Sequence, residues 1–174
     1  MTEFELATLI TERVRDAGGR ALFVGGWVRD RLLGREAKDI DLEVYGIDSA
    51  QLRELLERFG NVNTVGESFS VYKVGPIDIT LPRIESKHGQ GHRGFVIAGD
   101  PNLRLAEAAR RRDFTINAIA WDPAREEYLD PFGGKIDLQN KLLRFVDRQT
   151  FGDDSLRVLR ALQSAARFEL NLDE

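Results

Sequence analysis

No cysteine occurs in this chain, which excludes disulfides, thiolate-bound zinc and a cysteine nucleophile. That absence fits a reducing compartment. Apolar runs of membrane-spanning length are missing. The N-terminus, Met1-Thr2-Glu3-Phe4-Glu5, has neither the basic nor the apolar segment of a secretory signal, so the expected location is the cytoplasm. Histidine is nearly absent: His88 and His92 have ligand-like spacing, but the glycines between them argue against a helix and no third ligand is evident. An excess of positive charge is lacking too, and the net charge of −4 argues against a large non-specific nucleic-acid surface. Local basic sites remain at Arg110-Arg111-Arg112 and at Arg157, Arg160 and Arg167. This balance suits a catalytic unit whose polynucleotide grip lies elsewhere.

What is present describes an ordinary globular protein: 174 residues, 42% apolar and 31% charged, enough for one sizeable domain or one domain and part of a second. Phe4, Leu6, Leu9, Ile10 and Val14 predict a helix closed by Gly18-Gly19. Residues 21–24 read as a buried strand and 28–33 as a helix ending at Gly34. Ile40, Leu42 and Val44 alternate with Asp39, Asp41 and Glu43, predicting a strand with one apolar and one carboxylate face. Asp48 or Ser49 caps a helix through Phe59, and Gly75-Pro76 turns a hairpin of residues 71–74 and 77–81.

Residues 84–99 have the glycine and charge content of a mobile loop. A helix follows near 103–111, apolar sequence at 114–121, a turn at 130–134, a last strand at 142–146 and an amphipathic helix at 153–168. The apolar side of that helix, with Val158, Leu159 and Leu162, has little following sequence to cover it, which predicts a catalytic domain cut from a longer protein.

Chemistry concentrates in Asp39-Ile40-Asp41. Carboxylates at i and i+2 of a strand share a face and repel, and a hard cation such as Mg²⁺ relieves that repulsion. Upstream, Gly25-Gly26 lets backbone N–H groups approach an anion where a helix begins. Arg29 falls in the first helical turn, where the dipole disfavours a cation, and is better explained by a bound triphosphate. Asp78 sits in another alternating segment, and if its strand neighbours that of Asp41, three carboxylates converge. A metal site beside a phosphate cradle points to phosphoryl or nucleotidyl transfer. Gly89-x-Gly91-x-x-Gly94 fits a dinucleotide fingerprint only as text, since no clear strand precedes it and no apolar helix follows.

Four ordered motifs carry a resemblance: Gly25-Gly26-Trp27-Val28-Arg29-Asp30 with Asp39-Ile40-Asp41, Arg111-Arg112-Asp113-Phe114-Thr115-Ile116-Asn117-Ala118, Asp130-Pro131-Phe132-Gly133-Gly134, and Asp153-Asp154-Ser155-Leu156-Arg157-Val158-Leu159-Arg160. Together they resemble the class II tRNA nucleotidyltransferases, which comprise CCA-adding enzymes and bacterial poly(A) polymerases. The resemblance implies an α+β, polymerase-beta-like head with a mixed sheet and flanking helices over 1–146. The start of an α-helical neck would follow over 147–174, and the body and tail that hold tRNA would be missing.

It also implies roles. Asp39 and Asp41 match the metal pair; Asp78, read from its own alternating segment and not from the resemblance, is a further candidate catalytic carboxylate. Gly25, Gly26 and Arg29 match the nucleotide-phosphate site. Arg112 and Asp113 match the motif that contacts the incoming nucleotide, Asp113 at the ribose. Asp130 and Gly133-Gly134 match the hinge between head and neck, and Asp154, Arg157 and Arg160 the base-reading helix. The substrates would be CTP and ATP with Mg²⁺ in a two-metal mechanism, and the partner RNA, foremost the tRNA 3′ end.

Donor and acceptor chemistry supports base reading independently. Asp154, Arg157, Arg160, Ser164 and Arg167 fall on one helical face. Asp154 only accepts hydrogen bonds and Arg157 only donates them. That pair suits adenine and cytosine, which offer an amino donor beside a ring-nitrogen acceptor, and rejects guanine and uracil. The plainer alternative is an i,i+3 salt bridge. Gln163 stands where CCA-adding members often carry arginine, which leaves CC-adding, A-adding or poly(A) activity open. A nucleotide-binding regulatory module without catalysis is the rival from another class.

Overall fold

Thr2 accepts from the Glu5 amide while Glu5 returns a bond to Thr2, and this capping box starts α1 (Glu3–Asp16). The computed structural model describes residues 1–37, 39–65, 71–87, 95–152 and 154–173. After β1 (Arg20–Val24), the chain turns at Gly25 into α2 (Gly26–Leu32) and returns along β2 (Ile40–Tyr45). Asp48 caps α3 (Ser49–Glu57) with a second capping box. Four strands follow: β3 (Asn63–Val65), β4 (Val71–Val74), β5 (Ile77–Thr80) and β6 (Arg83–Lys87). Next come β7 (Phe95–Gly99), α4 (Leu105–Ala109), a 3₁₀ turn (Thr115–Asn117), β8 (Ala120–Asp122) and β9 (Glu127–Leu129). The chain continues through α5 (Gly134–Gln139), β10 (Leu142–Leu143), α6 (Arg148–Phe151), α7 (Leu156–Phe168) and β11 (Asn171–Leu172).

Seven strands form one mixed sheet in the order β3-β4-β5-β2-β1-β8-β9, in which β2 and β5 run parallel and the other pairs antiparallel. The expected α+β class, a mixed sheet with flanking helices, is therefore met. Period-2 alternation separates the faces. One face sends Phe23, Leu42, Val44, Ile77 and Ile79 into the core, against Ala7, Ile10 and Val14 of α1 and Leu52 and Leu56 of α3. The other buries Leu22, Val24 and Tyr45 beneath Ala108 of α4. Trp27 lies in an aromatic cluster with Phe4, Phe23 and Trp121, which anchors the first turn of α2 to the core.

Three expectations change. The 84–99 segment is not simply a loop, because β6 and β7 pair antiparallel from Arg83↔Gly99 to Lys87↔Phe95. Phe95, Val96 and Ile97 are strong strand formers, and that preference outweighs the surrounding glycine and charge. Residues 88–94, which hold His88, His92 and the glycine triplet, lie outside the described residues. The strand expected at 142–146 shrinks to Leu142–Leu143 and pairs with β11 rather than with the main sheet. The helix expected at 103–111 spans only Leu105–Ala109. Among the described residues no helix is long and apolar enough to cross a membrane.

Candidate active site

The register of the sheet gathers the expected acids. Val24 pairs with Asp41, so the turn after β1 lies beside Asp41. Asp41 in turn pairs with Asp78 across the parallel β2–β5 ladder, and Asp78 with Lys73 across β4–β5. Paired residues share a face. Asp39 is exposed at the residue before β2. Gly25 has φ +72°, and a Cβ there would lie 3.2 Å from Asp41 Oδ2 and 3.2 Å from Arg112 Nη1. The missing side chain thus leaves room for an acid and a cation to approach the turn together, in a conformation that L side chains rarely adopt.

Charge on this face is arranged against the solvent reference. Burial raises the Asp41 carboxyl above its ordinary range; Arg112 opposes, while Asp78 and Asp39 push it further up. Asp78 is met by Lys73 Nζ at 2.7 Å, a bond that raises the Lys73 ammonium. Glu43 is 1% exposed, and burial alone would raise it, yet Arg112 and Arg111 bring it below the usual carboxylate range. The Tyr45 phenol, pushed up by burial and by Glu43, stays protonated and donates to Glu43 at 2.7 Å. Burial pulls the Arg112 guanidinium down, as does Arg111, against Glu43 and Asp41.

The donor set suits a hard divalent cation. Asp39 and Asp41 offer only oxygen, and such an ion offsets the burial and, after it, the carboxylate repulsion that lift Asp41. Among the described residues no group of three or more His, Cys, Asp or Glu side chains is close enough to hold a metal, so Asp78 stands beside the pair as the partner of Lys73. Two carboxylates with waters and substrate phosphates make up the usual magnesium shell.

Arg29 is buried beneath the turn. Its Nε donates to Asp30 Oδ1 at 2.8 Å, its Nη2 lies 2.7 Å from the same oxygen, and its Nη1 donates to Asn117 Oδ1 at 2.8 Å. Its guanidinium also lies 4.2 Å from the ring centroid of Phe168 in α7. Asn117 Nδ2 donates to Asp113 Oδ1 at 3.0 Å, and Arg160 Nε to Asp113 Oδ2 at 3.0 Å. Arg160 Nη2 reaches Asp154 Oδ2 at 3.3 Å. Arg157 is buried and donates through Nη2 to the Arg111 carbonyl at 2.8 Å. A continuous run of polar contacts thus joins α2, the 3₁₀ turn and α7.

The structure brings Gly25, Asp41, Asp78 and Arg112 together and links Arg29, Asp113, Asp154 and Arg160 behind them. Asp130 caps α5 through the Gly134 and Lys135 amides, both at 2.8 Å. Gly133 is left-handed at φ +76°, and a Cβ on Gly134 would collide with the Thr115 carbonyl. Asp153 lies outside the described residues, and Gln163 is exposed. Sequence reasoning assigned no role to Glu43, Tyr45 or Asn117. The i+2 spacing from Asp41 to Glu43 and Tyr45 was the available signal for two of them; Asn117 carried none of its own.

Comparison with known proteins gives concordant matches. Residues 21–144 match the family described as Poly A polymerase head domain. A multifunctional CCA protein of Xylella fastidiosa (strain 9a5c) is 42% identical over 151 residues, 85% of this chain and 35% of that protein. One from Xanthomonas campestris pv. campestris (strain B100) is 47% identical over 147 residues, 83% of this chain and 34% of that protein. Among solved structures, the Bacillus stearothermophilus CCA-adding enzyme in complex with CTP superposes with TM-score 0.75 at 29% identity, covering 99% of this chain and 42% of that one. An apo form of a CCA-adding enzyme gives TM-score 0.79 at 28% identity, with 99% of this chain and 42% of that one covered. The chain thus spans about a third of the length of the curated relatives it matches.

Proposed function

The chain belongs to the poly(A) polymerase head-domain family, and we propose that it is the nucleotidyl-transferring part of a protein that adds C and A, from CTP and ATP, to the 3′ end of tRNA. Residues 1–146 serve as the catalytic head and 147–174 as the beginning of a helical neck. The observation that carries the reading is the Gly25 turn, whose lack of a side chain leaves room for both Asp41 and Arg112 against it.

In the reaction the RNA 3′ oxygen attacks the α-phosphorus, the bond to the pyrophosphate oxygen breaks, and the hydroxyl proton is released. Asp39 and Asp41 would hold Mg²⁺, which would acidify the attacking hydroxyl and neutralise the phosphates. Asp78 keeps the site face acidic while Lys73 fixes its position. The Gly25-Gly26 backbone and Arg112 receive the triphosphate, and the guanidinium fork matches paired phosphate oxygens. Arg29, with much of its donor capacity committed to Asp30 and Asn117, supports the phosphate site from beneath the turn. Asp113 accepts from the ribose through the remaining lone pair of Oδ2, since Phe114 N and Asn117 Nδ2 fill Oδ1 and Arg160 Nε takes one position on Oδ2. Asp154 and Arg157 select adenine and cytosine, and Arg160 ties Asp154 to Asp113.

The test uses the parent protein, tRNA lacking its 3′ end, and each nucleotide supplied separately. Addition of C, C and A followed by arrest supports the reading, and replacing Asp39 or Asp41 with alanine should abolish it without unfolding the protein. Normal turnover by both variants would refute it. A long adenylate tail would instead favour a poly(A) polymerase, the reading to which the neutral, exposed Gln163 lends weight.

A further inference from the structure

Glu43 is the next acid after Asp41 on the site face of β2, yet it is too deeply buried to meet a substrate. Its carboxylate is spent inward. Oε2 accepts from the Tyr45 hydroxyl at 2.7 Å, and Oε1 accepts from Arg111 Nη2 at 2.8 Å. Arg111 is also gripped from the neck side, where Arg157 donates to its carbonyl. Side chain and backbone of residue 111 are therefore both tied, which fixes the direction in which the chain presents residue 112.

Arg112 is the contrast. Among the described residues its guanidinium has no hydrogen-bond or ion-pair partner, although it is partly buried and lies against the Gly25 turn beside Asp41. Unspent donors on a partly buried cation are costly unless an anion supplies acceptors. Only the longer-range attraction of Glu43 and Asp41 acts on it, so the aim of Arg112 depends on those charges and on how its neighbour is held.

Resting on the nucleotidyltransferase reading above, we infer that Glu43 is a positioning residue: by clamping Arg111 it aims Arg112 at the triphosphate of the incoming nucleotide. Tyr45 completes the clamp by filling the second Glu43 oxygen. Glu43 touches no reacting atom, so its loss should weaken phosphate binding more than turnover.

The test is a double-mutant cycle in the full-length protein with Glu43→Gln, Arg112→Ala and the pair together. Apparent KM and kcat with CTP and with ATP are measured, together with equilibrium binding of inorganic tripolyphosphate in metal-free buffer. Glu43→Gln should raise KM and weaken tripolyphosphate binding about tenfold, the worth of one charge-assisted hydrogen bond. It should change kcat by less than about threefold. In the Arg112→Ala background it should cost nothing further. Losses that multiply, or unchanged tripolyphosphate affinity, overturn the proposal, because a merely structural role would act independently of Arg112. Should Glu43→Gln fail to fold, Tyr45→Phe removes only the hydroxyl, and its smaller loss should likewise vanish without Arg112. A wild type that transfers nucleotides but shows an additive cycle overturns the clamp alone. A wild type that transfers nothing, yet binds tripolyphosphate in a manner dependent on Glu43, supports the clamp and overturns the wider reading.

Discussion

Asp41 and Asp78 occupy directly paired positions on parallel strands, so two acids share one face of the sheet at the residue where the Gly25 turn closes over it. Their proximity helps hold the Asp41 carboxyl above its ordinary value, after burial itself. A carboxyl raised in the folded state binds its proton more tightly there than in the unfolded chain. Its stabilising contribution is therefore complete below the unfolded value, 3.8, and is lost as pH rises through the folded one. At neutral pH, Asp41→Asn should make the metal-free protein more stable, by about 0.5–2 kcal/mol, while abolishing transfer. The gain should shrink as pH is lowered toward 4. Thermal melts across that range check it, and a destabilised Asp41→Asn protein at pH 7 contradicts it.

Gly134 makes a harder steric demand than Gly25. A Cβ there would run into the Thr115 carbonyl, which is backbone and cannot rotate away. Thr115 is itself held, its hydroxyl donating to the buried Asp137 at 2.6 Å. Gly134→Ala should therefore destabilise the protein by about 3 kcal/mol, at the upper end of overpacking effects. Urea unfolding measures this directly, and a loss below about 1 kcal/mol shows that α5 can shift aside.

Local signals were legible in the chain and distant ones were not. The Asp48 cap, the Gly75 turn and the alternation along β2 each depend on residues within a few positions of one another, and each formed as expected. Alternation assigned Asp41 and Glu43 to one face, but it carries no information on what covers that face. The cover is Arg111, 68 residues away in sequence. Arg29 was legible as a conspicuous cation near a glycine turn, but its partner Asn117 lies 88 positions on. The last helix shows the limit most plainly. Amphipathicity separated its faces and left Leu159, 63% exposed, without cover, as expected, yet it gave no sign that Arg157 on the polar side packs inward at 7% exposure.

The surroundings of Arg29 predict where its loss will be felt. Arg29 and Asp30 are each about nine-tenths buried, so removing the guanidinium strands a buried carboxylate. Arg29→Ala should lower the stability of nucleotide-free protein by about 3 kcal/mol. Arg29→Lys keeps the charge but loses the fork that spans Asp30 and Asn117, and should fall between. An arginine serving only to hold phosphate would leave the unliganded melting temperature unchanged, and that result would overturn the assignment.

Arg160 should behave in the opposite way. Its side chain is 45% exposed while it bridges Asp113 and Asp154, and pairs so open to solvent contribute less than about 1 kcal/mol. Arg160→Ala should therefore leave the melting temperature nearly unchanged. Yet Asp113 is proposed to face the ribose and Asp154 the base, so the bridge fixes the spacing between the two ends of one nucleoside. Freed from Arg160, Asp154 can also turn its acceptor oxygens away from the amino groups of cytosine and adenine. KM for CTP and ATP should then rise about tenfold, while the margin over GTP and UTP narrows because the wrong bases lose nothing they had. Single-nucleotide incorporation assays with all four triphosphates decide this. Unaltered selectivity would mean that Arg160 only decorates the junction, and that base choice rests on Asp154 and Arg157 without it.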